Sequence, residues 1–141
     1  MALRADQRDY KNAFQKHLHA YTNWKATGSS ASKRLILAYC VECGLKYVIM
    51  KQENIFRTSE AQDDIAKELS SHDYRKLLRR LKQAGIYEFP TIKTNHCENV
   101  HPETYHEFCR YCIKPEDKYV GTIQQYDKTF EEIVEWIEEH I

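Results

Sequence analysis

Apolar side chains recur along this chain mostly at alternating steps of three and four, the spacing of one helix face. Tyr10, Phe14, His17, Tyr21 and Trp24 keep that spacing and predict an amphipathic helix over 5–26, with Gly28 in Thr27-Gly28-Ser29-Ser30 supplying its C-terminal turn. A second helix, over about 32–50, carries Leu35, Ile36, Leu37, Ala38, Tyr39, Cys40, Val41, Leu45, Val48 and Ile49 on nearly all sides. A helix apolar all round belongs at the centre of a fold. A polar connection from Gln52 to Thr58 leads to a short helix at 60–69, where Ser59 and Gln62 have capping-box spacing. Another helix is expected at 72–84, capped by Ser70 or Ser71 with Asp73 in its first turn. Tyr74, Leu77, Leu78 and Leu81 form its buried stripe, and Gly85 closes it. Residues 86–101 have no regular period. Pro102 is placed to open a helix with Tyr105, Phe108, Cys109 and Cys112 on one side, ended by Pro115. Thr122 and Gln125 open the last helix, whose inner face is Tyr126, Phe130, Ile133 and Ile137. No repeat, low-complexity tract or hairpin signal is visible. The pattern predicts one all-α domain over 1–141, an up-and-down helical bundle of about five helices.

Composition agrees with that picture. A chain of 141 residues suits one core of ordinary size, and its 17 aromatic residues argue against disorder. Only 4 Gly and 3 Pro leave few places to turn, which favours long helices over many strands. No apolar run is long enough for a membrane span, and the start, MALRADQRDYKN, lacks the apolar region of a secretory signal. Five cysteines, an odd number in a domain that needs no staples, favour a reducing, cytoplasmic setting.

Charge changes the picture more. The 21 basic and 21 acidic residues cancel, but unevenly along the chain. Residues 1–93 hold 17 Lys/Arg against 10 Asp/Glu, and residues 94–141 hold 4 against 11. Such halves suit a protein partner, a second copy of the chain, or a polyanion on the basic side. They also suit helix faces whose charges intermingle on folding. Arg75, Lys76, Arg79, Arg80 and Lys82 form the most credible nucleic-acid-binding element, with Tyr74 and Tyr87 near enough in sequence to stack on bases. The competing expectation pairs that helix with acidic Asp127, Glu131, Glu132, Glu135, Glu138 and Glu139.

Cysteine and histidine raise the question of a metal. Cys40-Val-Glu-Cys43 and Cys109-Arg-Tyr-Cys112 have the spacing of thiolate zinc ligands, but both fall in predicted helices without a knuckle turn. A rival set runs from His96-Cys97-Glu98-Asn99-Val100-His101 to Cys112. Packed or free thiols remain the expectation, with no metal and no cofactor. His96-x-Glu98 before a C-x-x-C is a fragment of the zinc deaminase signature, rejected because its Pro and supporting strands are missing. Ser71-His72-Asp73 is adjacent only in sequence, and a helix N-terminus explains it better than a triad.

Three stretches resemble the HEPN family (higher eukaryotes and prokaryotes nucleotide-binding domains). The helix Arg34-Leu-Ile-Leu-Ala-Tyr-Cys-Val-Glu42-Cys-Gly-Leu-Lys46 looks like the family's early core helix with its internal Glu and Lys. Ser71-His72-Asp73-Tyr-Arg-Lys-Leu77-Leu78 looks like its H-D-L-x-x-L helix start, and Arg110-Tyr111 like its late R-Y element. The resemblance covers roughly 30–141. It implies a helical bundle, commonly dimeric, found among ribonucleases of toxin–antitoxin, CRISPR and anti-phage systems and among non-catalytic binding modules. Ribonuclease members carry R-x(4–6)-H, in which Arg would stabilise phosphorane charge and His would move a proton. No Arg here stands five to seven positions before any His.

Two functions are therefore expected to compete. One is a non-catalytic interaction subunit of a prokaryotic defence or toxin–antitoxin type module, forming a homodimer or binding a partner protein, nucleotide or RNA. The other is a metal-independent ribonuclease with an atypical catalytic site drawn from Lys93, His96, His101 and Arg110. In the first, Arg110 would be structural, pairing with a buried Glu42.

Overall fold

The helix that sequence places at the centre, α2 (Ser30–Gln52), is buried along most of its length and contacts four of the other helices. The computed structural model describes residues 3–25 and 27–141, and within them six α-helices and one two-stranded sheet. The all-α expectation holds: the protein is a helical bundle. Preceding α2 is α1 (Gln7–Thr22), and following it are α3 (Asp63–Leu69), α4 (Tyr74–Arg80), α5 (Tyr105–Arg110) and α6 (Val120–Glu139). Strands β1 (Ile92–Lys93) and β2 (Asn99–Val100) pair antiparallel between α4 and α5, with Ile92 opposite Val100.

Contacts between α1 and α2 run in opposite sequence order, which makes the pair antiparallel. Lys46 lies over the Tyr10 ring, the Cys40 thiol points at the Phe14 carbonyl, and Lys33 lies over Tyr21. Where these helices meet α6, the sequence has Gly44. A Cβ there would stand 2.7 Å from Phe14 Cδ1 and 2.7 Å from Ile137 Cδ1, so only glycine admits both neighbours. On another side of α2, the rings of Tyr74, Phe89, Tyr105, Tyr126 and Phe130 interlock at centroid separations between 4.4 and 6.2 Å. Each such pair adds about 0.5–1.5 kcal/mol beyond burial.

Helix ends differ from expectation, and scarce glycine is the reason. α2, α4 and α5 each end in the same six-residue closure, its left-handed position held by Asn54 (φ 56°), Lys82 (φ 59°) and Cys112 (φ 50°). In each, the next amide bonds back into the last turn: Ile55 to Met50, Gln83 to Leu78, Ile113 to Phe108. The helix expected at 72–84 therefore stops at Arg80, short of Gly85, and the one expected to reach Pro115 stops at Arg110. The cap of α4 is Asp73, whose carboxylate accepts from the Arg75 amide at 3.0 Å, in place of Ser70 or Ser71. Ser59 and Gln62 form no box: Thr58–Glu60 is a separate 3-10 turn, and Gln62 caps α3. Pro102 opens a 3-10 turn, Pro102–Thr104, ahead of α5. The hairpin β1–β2 lies in the segment without regular period, too short to show alternation.

Gly44→Ala tests the central crossing. Its gain in helix propensity, about 1 kcal/mol, opposes an overpacking cost of about 1–3 kcal/mol. The expected outcome is net destabilisation in urea unfolding, and a variant more stable than the parent would refute the close approach.

Candidate functional site

The four residues expected to be catalytic lie on β1, the hairpin turn, the start of the following turn and the end of α5. Lys93 sits in β1, where its carbonyl accepts from the Glu116 amide at 2.9 Å. His96 is exposed in the hairpin turn, its amide bonded to Thr94 Oγ1. Exposed His101 caps the turn at Pro102, and its amide donates to Thr104 Oγ1 at 3.0 Å. Arg110 ends α5, and its Nη2 donates to the Tyr39 hydroxyl at 2.7 Å. Among the described residues, no side-chain hydrogen bond or ion pair joins these four to one another. Arg110 does not pair with Glu42, as sequence suggested; a tyrosine of α2 takes its guanidinium instead.

What the fold does assemble is a polar stripe on the otherwise apolar α2. Tyr39, Glu42, Cys43 and Lys46 follow one another at steps of three, one and three, hence on one face. Glu42 and Lys46 are 8% and 4% exposed, and Lys46 Nζ donates to Glu42 Oε2 at 3.1 Å. Glu42 Oε1 stands 2.8 Å from His72 Nδ1. An ionised carboxylate can only accept, so Nδ1 carries the proton and Nε2 of neutral His72 is left with its lone pair. The His72 side chain is about half exposed, and its ring lies 4.5 Å from the ring of buried His106, one turn before Arg110 on α5. His106 Nδ1 has no hydrogen-bond partner among the described residues. Burial pushes His106 below the ordinary imidazole value, and the neighbouring His72 and Arg110 add to it. Tyr10, over Lys46, is raised to about 12 by burial and by Cys43 and Glu42.

Chemically this is a carboxylate holding one face of a half-exposed imidazole, beside a second imidazole and a fixed cation. Such a set can orient His72 and pass a proton at its outer nitrogen. Its sequence signal was the one Glu–Lys pair at i,i+4 inside the apolar run 35–50. His72 stood out only within Ser71-His72-Asp73, and its meeting with His106 carried no signal, because only folding brings helix starts 34 residues apart into ring contact.

The thiols are spread over α2, the hairpin turn and the end of α5. Among the described residues no three His, Cys, Asp or Glu groups are placed to hold an ion, so neither the C-x-x-C pairs nor the 96–112 segment forms a ligand set. Burial raises Cys40 and Cys109 to about 12 and Cys43 to about 11, so they persist as thiols.

The basic helix divides its charges. Arg80 is engaged by Glu68 at 2.6 Å, Asp64 at 3.2 Å and Glu53 at 3.9 Å. Arg75 bonds Glu103 at 3.2 Å and faces Asp73 at 3.5 Å. Lys76, Arg79 and Lys82 are exposed and form no ion pair among the described residues. Tyr74 is fully buried in the core and cannot stack on a base. Among the described residues the acidic helix forms no ion pair with α4 either: its Asp127 takes Arg34 of α2 at 3.0 Å. A cavity of about 270 Å³ lies beside α4, lined by Arg75, Leu78, Arg79, Tyr87 and Phe89 among others. Burial raises the Tyr87 phenol pKa, and Glu132, Glu139 and Glu135 of α6 raise it further. Thr129 of α6 donates to the Glu88 carbonyl at 2.9 Å, fixing this segment between the two helices. No helix of the described residues is long and apolar enough to cross a membrane. Set against protein-family models, curated proteins and solved structures, the chain matches none.

Glu42→Ala and Lys46→Ala should each lower unfolding free energy by about 3–5 kcal/mol, because each strands a buried charge. The double replacement Glu42→Leu with Lys46→Met should cost less than either in chemical denaturation. A double cost equal to the two single costs added together would show that the residues do not act as a pair.

A histidine with a depressed native pKa binds fewer protons folded than unfolded. Its contribution is complete above the unfolded value of 6.5 and falls as pH drops from there toward the native value. Unfolding free energy should thus decline below pH 6.5, and His106→Gln should flatten that slope; a slope unchanged by His106→Gln would disprove the assignment.

Proposed function

We propose that this chain is a non-catalytic, HEPN-like interaction subunit of a prokaryotic defence or toxin–antitoxin type module, and that it docks protein on the face formed by α4, residues 86–89 and α6. The module type follows from the sequence resemblance. The choice of protein over polyanion follows from one observation: the exposed cation Arg79 lines the same cavity as Tyr87, whose phenol feels the acidic edge of α6, Glu132, Glu139 and Glu135. A phosphate backbone is repelled by that acidic edge, whereas a protein surface can meet both signs. A sign test separates the two. Binding is measured for the parent, Arg79→Glu and Glu135→Arg against proteins encoded beside its gene and against single-stranded RNA. Protein binding should be weakened by both reversals. RNA binding that strengthens with Glu135→Arg and weakens with Arg79→Glu would overturn the reading.

One observation favours a second reading, a metal-independent ribonuclease: the 2.8 Å Glu42–His72 bond beside His106 and Arg110. There His72 Nε2 would take the 2′-hydroxyl proton and Arg110 would stabilise the phosphorane. RNA cleavage is compared for the parent, His72→Ala, Arg110→Ala and, as an exposed control, His101→Ala, with circular dichroism checking the fold. The expected result is no cleavage by any of them. Cleavage lost in the first two variants and kept in the third would establish the enzyme.

A further inference from the structure

Resting on the reading that the face of α4 and residues 86–89 docks protein, we infer that the cavity there takes one anchor from the partner: an aromatic side chain with a carboxylate beside it. The cavity supplies both halves of that chemistry. Leu78, Tyr87 and Phe89 give it an apolar lining, and Arg75 and Arg79 are its cations. Its walls are fixed from behind. The Phe89 ring packs against the buried rings of Tyr74 at 6.2 Å, Tyr126 at 5.8 Å and Phe130 at 6.0 Å. Thr129 of α6 holds the carbonyl of Glu88, and the Gln83 amide donates to the Leu78 carbonyl at 2.8 Å, closing the end of α4. A pocket formed in advance spares a ligand the cost of ordering it.

Volume sets the size of the anchor. An apolar cavity of about 150 Å³ holds one benzene ring. The cavity of about 270 Å³ beside α4 has room for such a ring and for a few atoms more. Charge sets the second half. Arg75 already holds Glu103 at 3.2 Å and faces Asp73 at 3.5 Å. Arg79 is exposed at the cavity and forms no ion pair among the described residues, so its donors are free. A guanidinium takes a carboxylate through two parallel hydrogen bonds and stacks its flat face on an aromatic ring, so Arg79 can meet both parts of the anchor.

The surroundings favour a protein segment over a free acid. Ala84 and Gly85 form a low, exposed rim, where a Cβ added to Gly85 would meet nothing within 4 Å. Next to that rim in the chain, Ile86 stands 62% exposed. A partner backbone can cross the rim and cover Ile86 while one side chain enters the cavity. That is the layout of a buried aromatic anchor ringed by contacts that exclude water. A free acid filling the cavity leaves Ile86 in water.

Fluorescence anisotropy with the full chain tests the anchor, using labelled, end-blocked Gly-Ser-Asp-Phe-Gly-Ser and Gly-Ser-Phe-Asp-Gly-Ser. At least one should bind, and replacing its Asp by Asn or its Phe by Ala should weaken it roughly tenfold or more. Arg79→Gln should weaken the Asp peptide by a similar factor and leave its Asn version unchanged, while Arg79→Lys should recover part of the loss. Ala84→Trp, which fills the rim at an exposed position, should abolish binding with circular dichroism unchanged. Lys76→Gln, exposed on α4 but outside the cavity lining, should change little. No binding of either peptide at millimolar concentration overturns the inference. So does an equal loss in Lys76→Gln and Arg79→Gln, which would mean general charge attraction. N-acetylphenylalanine competing as tightly as the peptide would also overturn it, by making the occupant a free acid. The docking reading has its own readout, a protein encoded beside the gene: if the peptides fail but Ala84→Trp abolishes binding of that protein, only the anchor falls. If that protein binds Ala84→Trp as well as the parent, the docking reading falls too.

Discussion

A helix that is apolar on nearly every side has to be covered on nearly every side, and α2 imposes that demand on the rest of the chain. About 35 Å of helix follows from its 23 residues. α1 covers one side and α4, α5 and α6 cover others, so almost every buried residue of the protein is within reach of α2 or of a helix that touches it. Gly44 marks where this covering is tightest. A missing side chain there admits Phe14 and Ile137 together.

One stripe of α2 departs from that rule. Glu42 and Lys46 are ionic residues in a segment that otherwise excludes charge, and they remain there because they hold each other and because His72 takes the second carboxylate oxygen. Removing two charges from water is costly, so the arrangement persists only with its hydrogen bonds filled. The same low-dielectric surroundings depress His106 and elevate Tyr10. Arg110 closes the stripe at its outer end by holding Tyr39.

The surface follows a different logic. The basic and acidic halves of the sequence do not neutralise each other as blocks. Arg80 and Arg75 are satisfied by acids close to α4, Asp127 is satisfied by Arg34, and Lys76, Arg79 and Lys82 stay exposed with no ion pair among the described residues. A zero net charge here is compatible with a strongly patterned surface.

Periodicity alone determined that the protein is helical, that the helix at about 32–50 is its centre, and which faces of α1, α4 and α6 turn inward, because the free energy of burying apolar area is written directly in residue spacing. Helix ends were less legible: residues 54, 82 and 112 hold left-handed closures without glycine, a conformation that asparagine takes readily but lysine and cysteine rarely do. The Glu42–Lys46 pair was visible as spacing, and Arg110 was singled out, but its true neighbour was not. The meeting of His72 with His106, the choice of Tyr39 for Arg110, and the pairing of Asp127 with Arg34 were decided only by the tertiary structure. Those interactions join residues tens of positions apart and depend on distances of a few ångströms, which no local pattern in a chain encodes.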